Sequence, residues 1–259
     1  MRIGSVGFVG GGRVARIMLE GWLRADAMPE RVVVADRNPA TLEALKARFP
    51  SIEACPGDNC RAADQSVVLL GLHPPMLADS LPEFASRLKP DAIVVSLAPK
   101  VTIAKLSAML GGFDRIARVI PNAPSIVGSG FNPVAFGPAL GEGDRAAVLE
   151  LLAPLGDAPV VDEASLEAYA ITAAMGPTYL WFQLYELREL GRSFGLSDEA
   201  AAVAVERMTR GALDTMNAGL TPAEVMDLVP VHPLAETEPA VIEAYRSRLS
   251  ATMEKIRPV

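Results

Sequence analysis

An apolar run, a turn of three glycines and an amphipathic helix follow one another at the start of this chain, and that succession leaves little choice of fold. The turn is Gly10-Gly11-Gly12-Arg13-Val14-Ala15, a G-x-G-x-x-A sequence between the apolar segment Ile3 to Val9 and a helix pattern in which Val14, Ile17, Met18 and Trp22 share a face. In such a turn Gly10 makes the tight bend, Gly12 lets the backbone approach a diphosphate, and small Ala15 lets helix and strand pack closely. Arg13 and Val14 then stand at the mouth of the helix, whose free N–H groups and partial positive charge favour phosphates. Asp36 ends the second apolar segment twenty-one residues past Ala15. That is close to the spacing of the acid that binds an adenosine ribose, which favours NAD. Arg37 follows directly, and its guanidinium can instead pair with a 2′-phosphate, which favours NADP. The residues alone leave both open.

The pattern continues for more than half of the chain. Short apolar runs at Ile3 to Val9, Val32 to Ala35, Val67 to Leu72, Ile93 to Leu97, Ile116 to Ile120, Val134 to Phe136 and Pro159 to Val161 alternate with amphipathic segments. Several runs are apolar throughout, as strands covered on both faces must be. Residues 1–162 therefore read as a Rossmann-type α/β domain, a parallel sheet with helices on both faces. After Asp162 the strand period stops. Ala, Leu, Glu and Met dominate residues 163–259, which read as an all-helical domain for substrate binding and dimerisation. Gly176-Pro177 opens a helix to about Phe194 that Gly195 closes, and Ser197 caps another to about Ala218. Thr221-Pro222-Ala223-Glu224 has capping-box spacing, and a last helix follows Pro239.

Composition excludes several classes. The chain has 259 residues, half of them hydrophobic, and a formal net charge of -7 with acids and bases interspersed, so neither nucleic acid nor an anionic membrane is expected as a partner. Cys55 and Cys60 are expected to be two ordinary thiols rather than a metal pair, which suits a reducing, cytoplasmic compartment. No uninterrupted apolar stretch reaches the roughly 18 residues of a membrane span. Arg13 and Arg16 break the only run that resembles an export signal.

Beyond the glycine turn, the chain closely resembles the pyrroline-5-carboxylate reductase family. The residues that carry the resemblance are Ala35-Asp36-Arg37-Asn38-Pro39, Asp58-Asn59, Leu72-His73-Pro74-Pro75-Met76, Val101-Thr102-Ile103-Ala104-Lys105-Leu106, and Arg118-Val119-Ile120-Pro121-Asn122-Ala123-Pro124 with Val127-Gly128 and Gly130. Gly176-Pro177-Thr178-Tyr179, Gly211-Ala212 and Pro222-Ala223-Glu224 extend it toward the C-terminus. The resemblance implies an NAD(P)H-dependent oxidoreductase that delivers hydride to a cyclic imine, 1-pyrroline-5-carboxylate or a relative. It further implies that Asn59 and Leu72-His73-Pro74 border the adenosine and nicotinamide riboses, that Ala98 lies near the nicotinamide, and that Asn122 lies near the reacting centre. C-terminal helices interlocking two subunits, with the substrate pocket at their interface, are implied as well. A protonated imine is already a good electrophile, so such an enzyme mainly positions two partners and excludes water.

Departures from the family pattern concentrate where substrate is expected. Ala173-Ala174-Met175 stands where the family has Ser-Gly-Ser, and Val231-His232-Pro233-Leu234-Ala235-Glu236 stands where it has Ser-Pro-Gly-Gly-Thr-Thr. A carboxylate substrate would meet Glu236 with like-charge repulsion and find fewer donors. His73 replaces a family lysine beside the cofactor. His232 is a candidate proton donor to the imine nitrogen, and Thr178 a candidate source of the lost hydroxyl. Two other readings fit the same N-terminal fold. One is a carbonyl, 3-hydroxyacid or deazaflavin-linked dehydrogenase, which the absence of lysine between Lys105 and Lys255 disfavours. The other is a cofactor-binding module that has lost its substrate loop.

Overall fold

A computed structural model describes residues 4–258. The chain alternates β1 (Ser5–Val9), α1 (Arg13–Arg24), β2 (Arg31–Asp36), α2 (Pro39–Arg48), β3 (Glu53–Pro56), α3 (Asn59–Ala63), β4 (Val67–Leu70), α4 (Pro74–Phe84), β5 (Ile93–Ser96), α5 (Ile103–Met109) and β6 (Ile116–Val119). After two short strands, β7 (Gly130–Phe131) and β8 (Val134–Phe136), come α6 (Glu142–Leu152), β9 (Gly156–Asp157), α7 (Leu166–Tyr169), α8 (Pro177–Ser193), α9 (Asp198–Met216), α10 (Pro222–Asp227) and α11 (Glu238–Ile256).

Seven strands form one sheet in the order β3-β2-β1-β4-β5-β6-β8, parallel except for the antiparallel edge strand β8. The strand order reverses beside β1: β2 lies on one side of it and β4 on the other, which opens a crevice at the carboxyl ends of the strands. Side chains alternate between two cores. Phe8, Val34, Leu69 and Val95 face one, with Met18, Leu19 and Trp22 of α1. Val33, Leu70 and Val94 face the other, with Leu77, Leu81 and Leu106 of α4 and α5. The Trp22 indole N–H donates to the Leu151 carbonyl at 2.9 Å, so even this fully buried ring has its polar atom satisfied.

Two details differ from the sequence reading. Pro159–Val161 is not a strand of the sheet. Val160 makes a single bridge to Val134, and β9 pairs with β7 just upstream, because Pro159 has no N–H to offer a ladder. Conversely, β3 carries no hydrophobic run and ends in proline. Only its place at the sheet edge makes it a strand. Ile3, expected to open the first strand, lies outside the described residues.

The chain forms two compact units, one running to Ala174 and rejoined by the residues from Met253, the other spanning Met175–Thr252. The helical part thus starts on the sheet's own unit: Leu166 and Ala170 pack with Ile120 and Ala135 in a small third core. A π-helical stretch, Ala170–Ala174, ends this segment. Within the second unit Ser197 caps α9 and Thr221 with Glu224 closes a capping box on α10, both as their spacing predicts. Gly191 lets α8 and α9 approach, since a Cβ there would sit 3.3 Å from that of Ala201.

Candidate active site

At the glycine turn, Gly10 has φ +101, and a Cβ on it would lie 2.9 Å from the Gly71 carbonyl at the end of β4. Only glycine fits there. Gly12, the N-cap of α1, has an ordinary extended backbone, yet a Cβ on it would meet nothing within 4 Å. Protein does not fill the space above the turn. The 12-residue helix α1 has no side-chain cap and no acid in its first turn, so its leading N–H groups face that space unanswered. A cleft of about 510 Å³ opens alongside, lined by Gly11, Gly12, Arg13, Arg16, Thr41 and Arg48 among others. The residues present fit a dinucleotide diphosphate.

The end of β2 supplies the neighbouring group. Asp36 is half-buried, and its carboxylate accepts the Gly11 N–H and the Asn38 N–H, each at 2.8 Å. It is therefore fixed in orientation at the edge of the turn. Arg37 turns toward α4 and pairs with Glu83 at 3.2 Å, with both side chains about half exposed. The other oxygen of Glu83 accepts from the amide of buried Asn59 at 3.4 Å. Leu72, His73 and Pro74 form the loop from β4 into α4, with exposed His73 as N-cap and Pro74 at the first helical position.

At the ends of β5 and β6 the backbone is held by a buried ion pair. Arg118 is fully buried on β6 and reaches Glu167 of α7 at 2.5 Å and Glu163 at 3.0 Å. Glu167 also accepts the Lys100 N–H at 2.9 Å, and Glu163 the Ile103 N–H at 2.7 Å. These bonds fix the loop that follows buried Ala98. Lys100 within it has φ +80, one of two non-glycine residues with positive φ among the described residues. A lysine there is strained.

Asn122 is buried in the loop after β6. Its side-chain carbonyl accepts the Phe131 N–H at 3.0 Å, and its amide reaches the Ala173 carbonyl at 3.5 Å. Ser125 and the Asn122 N–H both donate to the Asn132 side chain, tying the loop to itself. Gly10, Gly12, Arg13, Val14, Asp36, Arg37, Asn59, Leu72, His73, Pro74, Ala98 and Asn122 thus all belong to the first unit, on the turn, strand ends, loops and first helical turns that follow the carboxyl ends of the strands.

Thr178 and His232 belong to the second unit. The Thr178 hydroxyl donates to the Met175 carbonyl at 2.6 Å, in the first turn of α8. His232 Nε2 lies 2.6 Å from the Val229 carbonyl and 3.1 Å from that of Met226, so the ring folds back on its own loop. With Nε2 donating, Nδ1 is the acceptor of the neutral ring. Glu83, Lys100, Glu163 and Glu167 were not singled out from sequence, and Arg118 entered only as part of the resemblance. A helix-surface acid and a loop lysine carry no pattern, and the partners of Arg118 are forty-five and forty-nine residues away.

Residues 5–100 match the model of the family described as NADP oxidoreductase, coenzyme F420-dependent. That stretch ends just beyond β5 and covers the turn and Asp36. The chain is 27% identical over 226 residues to the pyrroline-5-carboxylate reductase of Corynebacterium melassecola, covering 85% of this chain and 83% of that one. It is 26% identical over 252 residues to the pyrroline-5-carboxylate reductase of Pseudomonas aeruginosa, covering 96% and 92%. Among solved structures, the fold matches Plasmodium falciparum pyrroline carboxylate reductase with NADP bound, at a TM-score of 0.82 and 18% identity over 98% of this chain and 97% of that one.

Proposed function

We propose that this chain, a divergent member of the pyrroline-5-carboxylate reductase family, reduces a cyclic imine at the expense of NAD(P)H, with 1-pyrroline-5-carboxylate to proline as the leading reaction. The observation that carries the reading is the open glycine turn at an uncapped helix N-terminus, with Asp36 fixed beside it and the loops after β4, β5 and β6 leaving the same carboxyl end of the sheet. Similarity to named reductases along most of the chain supports it further.

The residues have distinct tasks. Backbone N–H groups at the start of α1 hold the diphosphate, with Arg13 adding charge. Asp36 accepts from the adenosine ribose, and Asn59 and the Leu72-His73-Pro74 loop border the riboses. Ala98, small and buried, leaves room for the nicotinamide, which when bound supplies the hydride. Asn122 shapes the ground next to the reacting carbon. Thr178 contributes as an acceptor toward a protonated imine, because its own proton is committed to the Met175 carbonyl. His232 is the proposed proton donor to the imine nitrogen through Nδ1, which carries a proton only in the doubly protonated ring because Nε2 donates to its own loop.

The second unit exposes a band of large apolar side chains, including Trp181, Phe182, Tyr185 and Phe194, the last 80% exposed. Such a surface suits association, and the proposed assembly is a homodimer through the C-terminal helices. Among the described residues no helix is long and apolar enough to cross a membrane; the proposed compartment is the cytoplasm. The test offers reduced nicotinamide with 1-pyrroline-5-carboxylate and with imines lacking the carboxylate. Turnover of any of them supports the reading, and tight cofactor binding without any turnover refutes it.

A further inference from the structure

We infer that the enzyme takes NADH in preference to NADPH, and that Glu83 is a specificity-determining residue that enforces the choice. The inference rests on the dinucleotide-binding part of the function proposed above.

Sequence sets an acid and a base side by side at the end of β2, and either could govern the adenosine ribose. The fold separates them. Asp36 has both carboxylate oxygens anchored by backbone N–H groups, Gly11 on one side and Asn38 on the other, each at 2.8 Å. Turning it away to admit a phosphate would break both bonds and leave two donors without partners. A ribose hydroxyl can donate to such a carboxylate, whereas a 2′-phosphate brings a second negative charge to the same place.

Arg37 is the cation that would offset that charge, and it is engaged elsewhere. Its guanidinium pairs with Glu83 of α4 at 3.2 Å. Glu83 also bonds Asn59, the group expected beside the adenosine ribose, at 3.4 Å. A 2′-phosphate would therefore face the carboxylates of Asp36 and Glu83, with Arg37 already paired to the second. Other cations stand on α1 and α2. Arg48 is bound through two nitrogens to Glu20, at 2.8 and 2.9 Å. Arg13 and Arg16 line the cleft toward α2, with Arg13 on the first turn of α1 where the diphosphate belongs.

Direct binding tests the inference without turnover. Dissociation constants of the purified protein are measured by calorimetry for NADH and NADPH, and for AMP and adenosine 2′,5′-bisphosphate, which isolate the ribose end. The expected result is at least about tenfold tighter binding of NADH, with AMP favoured over the bisphosphate in the same sense. Glu83→Gln frees Arg37 and should tighten NADPH binding by about two- to fivefold while leaving NADH within about twofold, as befits an exposed pair. Asp36→Ser should bring the two nucleotides close to parity. Equal or tighter binding of NADPH by the unaltered protein overturns the preference, and an unchanged NADPH constant in Glu83→Gln overturns the role of Glu83. Binding of neither nucleotide would overturn the proposed function as well. A reversed ratio would leave that function standing.

Discussion

Glu167→Gln removes one charge from the fully buried side of the ion pair that anchors the loop after β5. Arg118 and Glu167 are 0% and 1% exposed, and Glu167 bonds both the guanidinium and the Lys100 N–H. Removing one partner of a buried pair costs about 3–5 kcal/mol, because the other charge is left without compensation. Two features put this variant near the low end. Glutamine keeps an oxygen that can accept the Lys100 N–H, and Glu163 still pairs with Arg118 at 3.0 Å. A loss of about 3 kcal/mol corresponds to a fall in Tm of roughly 6–12 °C for a unit of this size. Glu163→Gln, at a position 32% exposed, should lose no more than about 1 kcal/mol. Arg118→Met combined with Glu167→Gln should recover most of the stability, since no buried charge remains. Among the described residues Arg118 Nε and Glu167 Oε2 have no hydrogen-bond partner, so the pair is incompletely satisfied to begin with. Urea unfolding of the three variants reads these differences as midpoint shifts. A Glu167→Gln protein within about 0.5 kcal/mol of wild type, or a double variant less stable than the single one, would refute the reasoning.

Gly12→Ala should cost no more than about 1 kcal/mol of stability, the penalty of a poorer N-cap, since a Cβ there meets no protein atom, yet raise the dissociation constant for the dinucleotide at least about tenfold; Gly10→Ala, whose Cβ would press on Gly71, should lower both stability and affinity further. Calorimetric titration beside a melting curve separates the two. Lys100→Gly relieves a left-handed backbone and should raise the urea midpoint by the equivalent of up to about 1 kcal/mol, the gain being partly offset by chain entropy. Burial pushes the Cys55 thiol up, with Asp58 adding to the effect. Alkylation at neutral pH followed by mass spectrometry should therefore label Cys60 well before Cys55.

The dinucleotide half was legible because each of its requirements is local. Gly10, Gly12 and Ala15 are read from spacing, Asp36 from its distance along the chain, and the strands from runs of Val, Ile and Leu that must be covered on both faces. Helix caps at Ser197 and Thr221 were equally local, each accepting the N–H its spacing assigns. Other features depend on tertiary placement. Nothing in Glu53-Ala54-Cys55-Pro56 marks a strand until β2 stands beside it. Arg118 reads as a lone charge inside an apolar strand, and Glu167 as a helix-surface acid, until α7 lies against the sheet and buries both. The same packing explains why the compact units divide after Ala174 rather than at the change of period near Asp162. Sequence likewise paired Asp36 with Arg37 as rivals for one ribose, and nothing in it places Glu83 of α4 beside Arg37.

Hydride delivery to a ring C=N bond is the central claim, and a stoichiometric incubation measures it most directly. Purified protein is mixed with a known amount of NADH and excess 1-pyrroline-5-carboxylate; loss of the reduced-nicotinamide absorbance is followed while proline is quantified. One proline should form for each nicotinamide oxidised, and Gly12→Ala should lose the reaction. Nicotinamide that stays reduced in the presence of this and every other cyclic imine, in a protein that demonstrably binds it, would contradict the account.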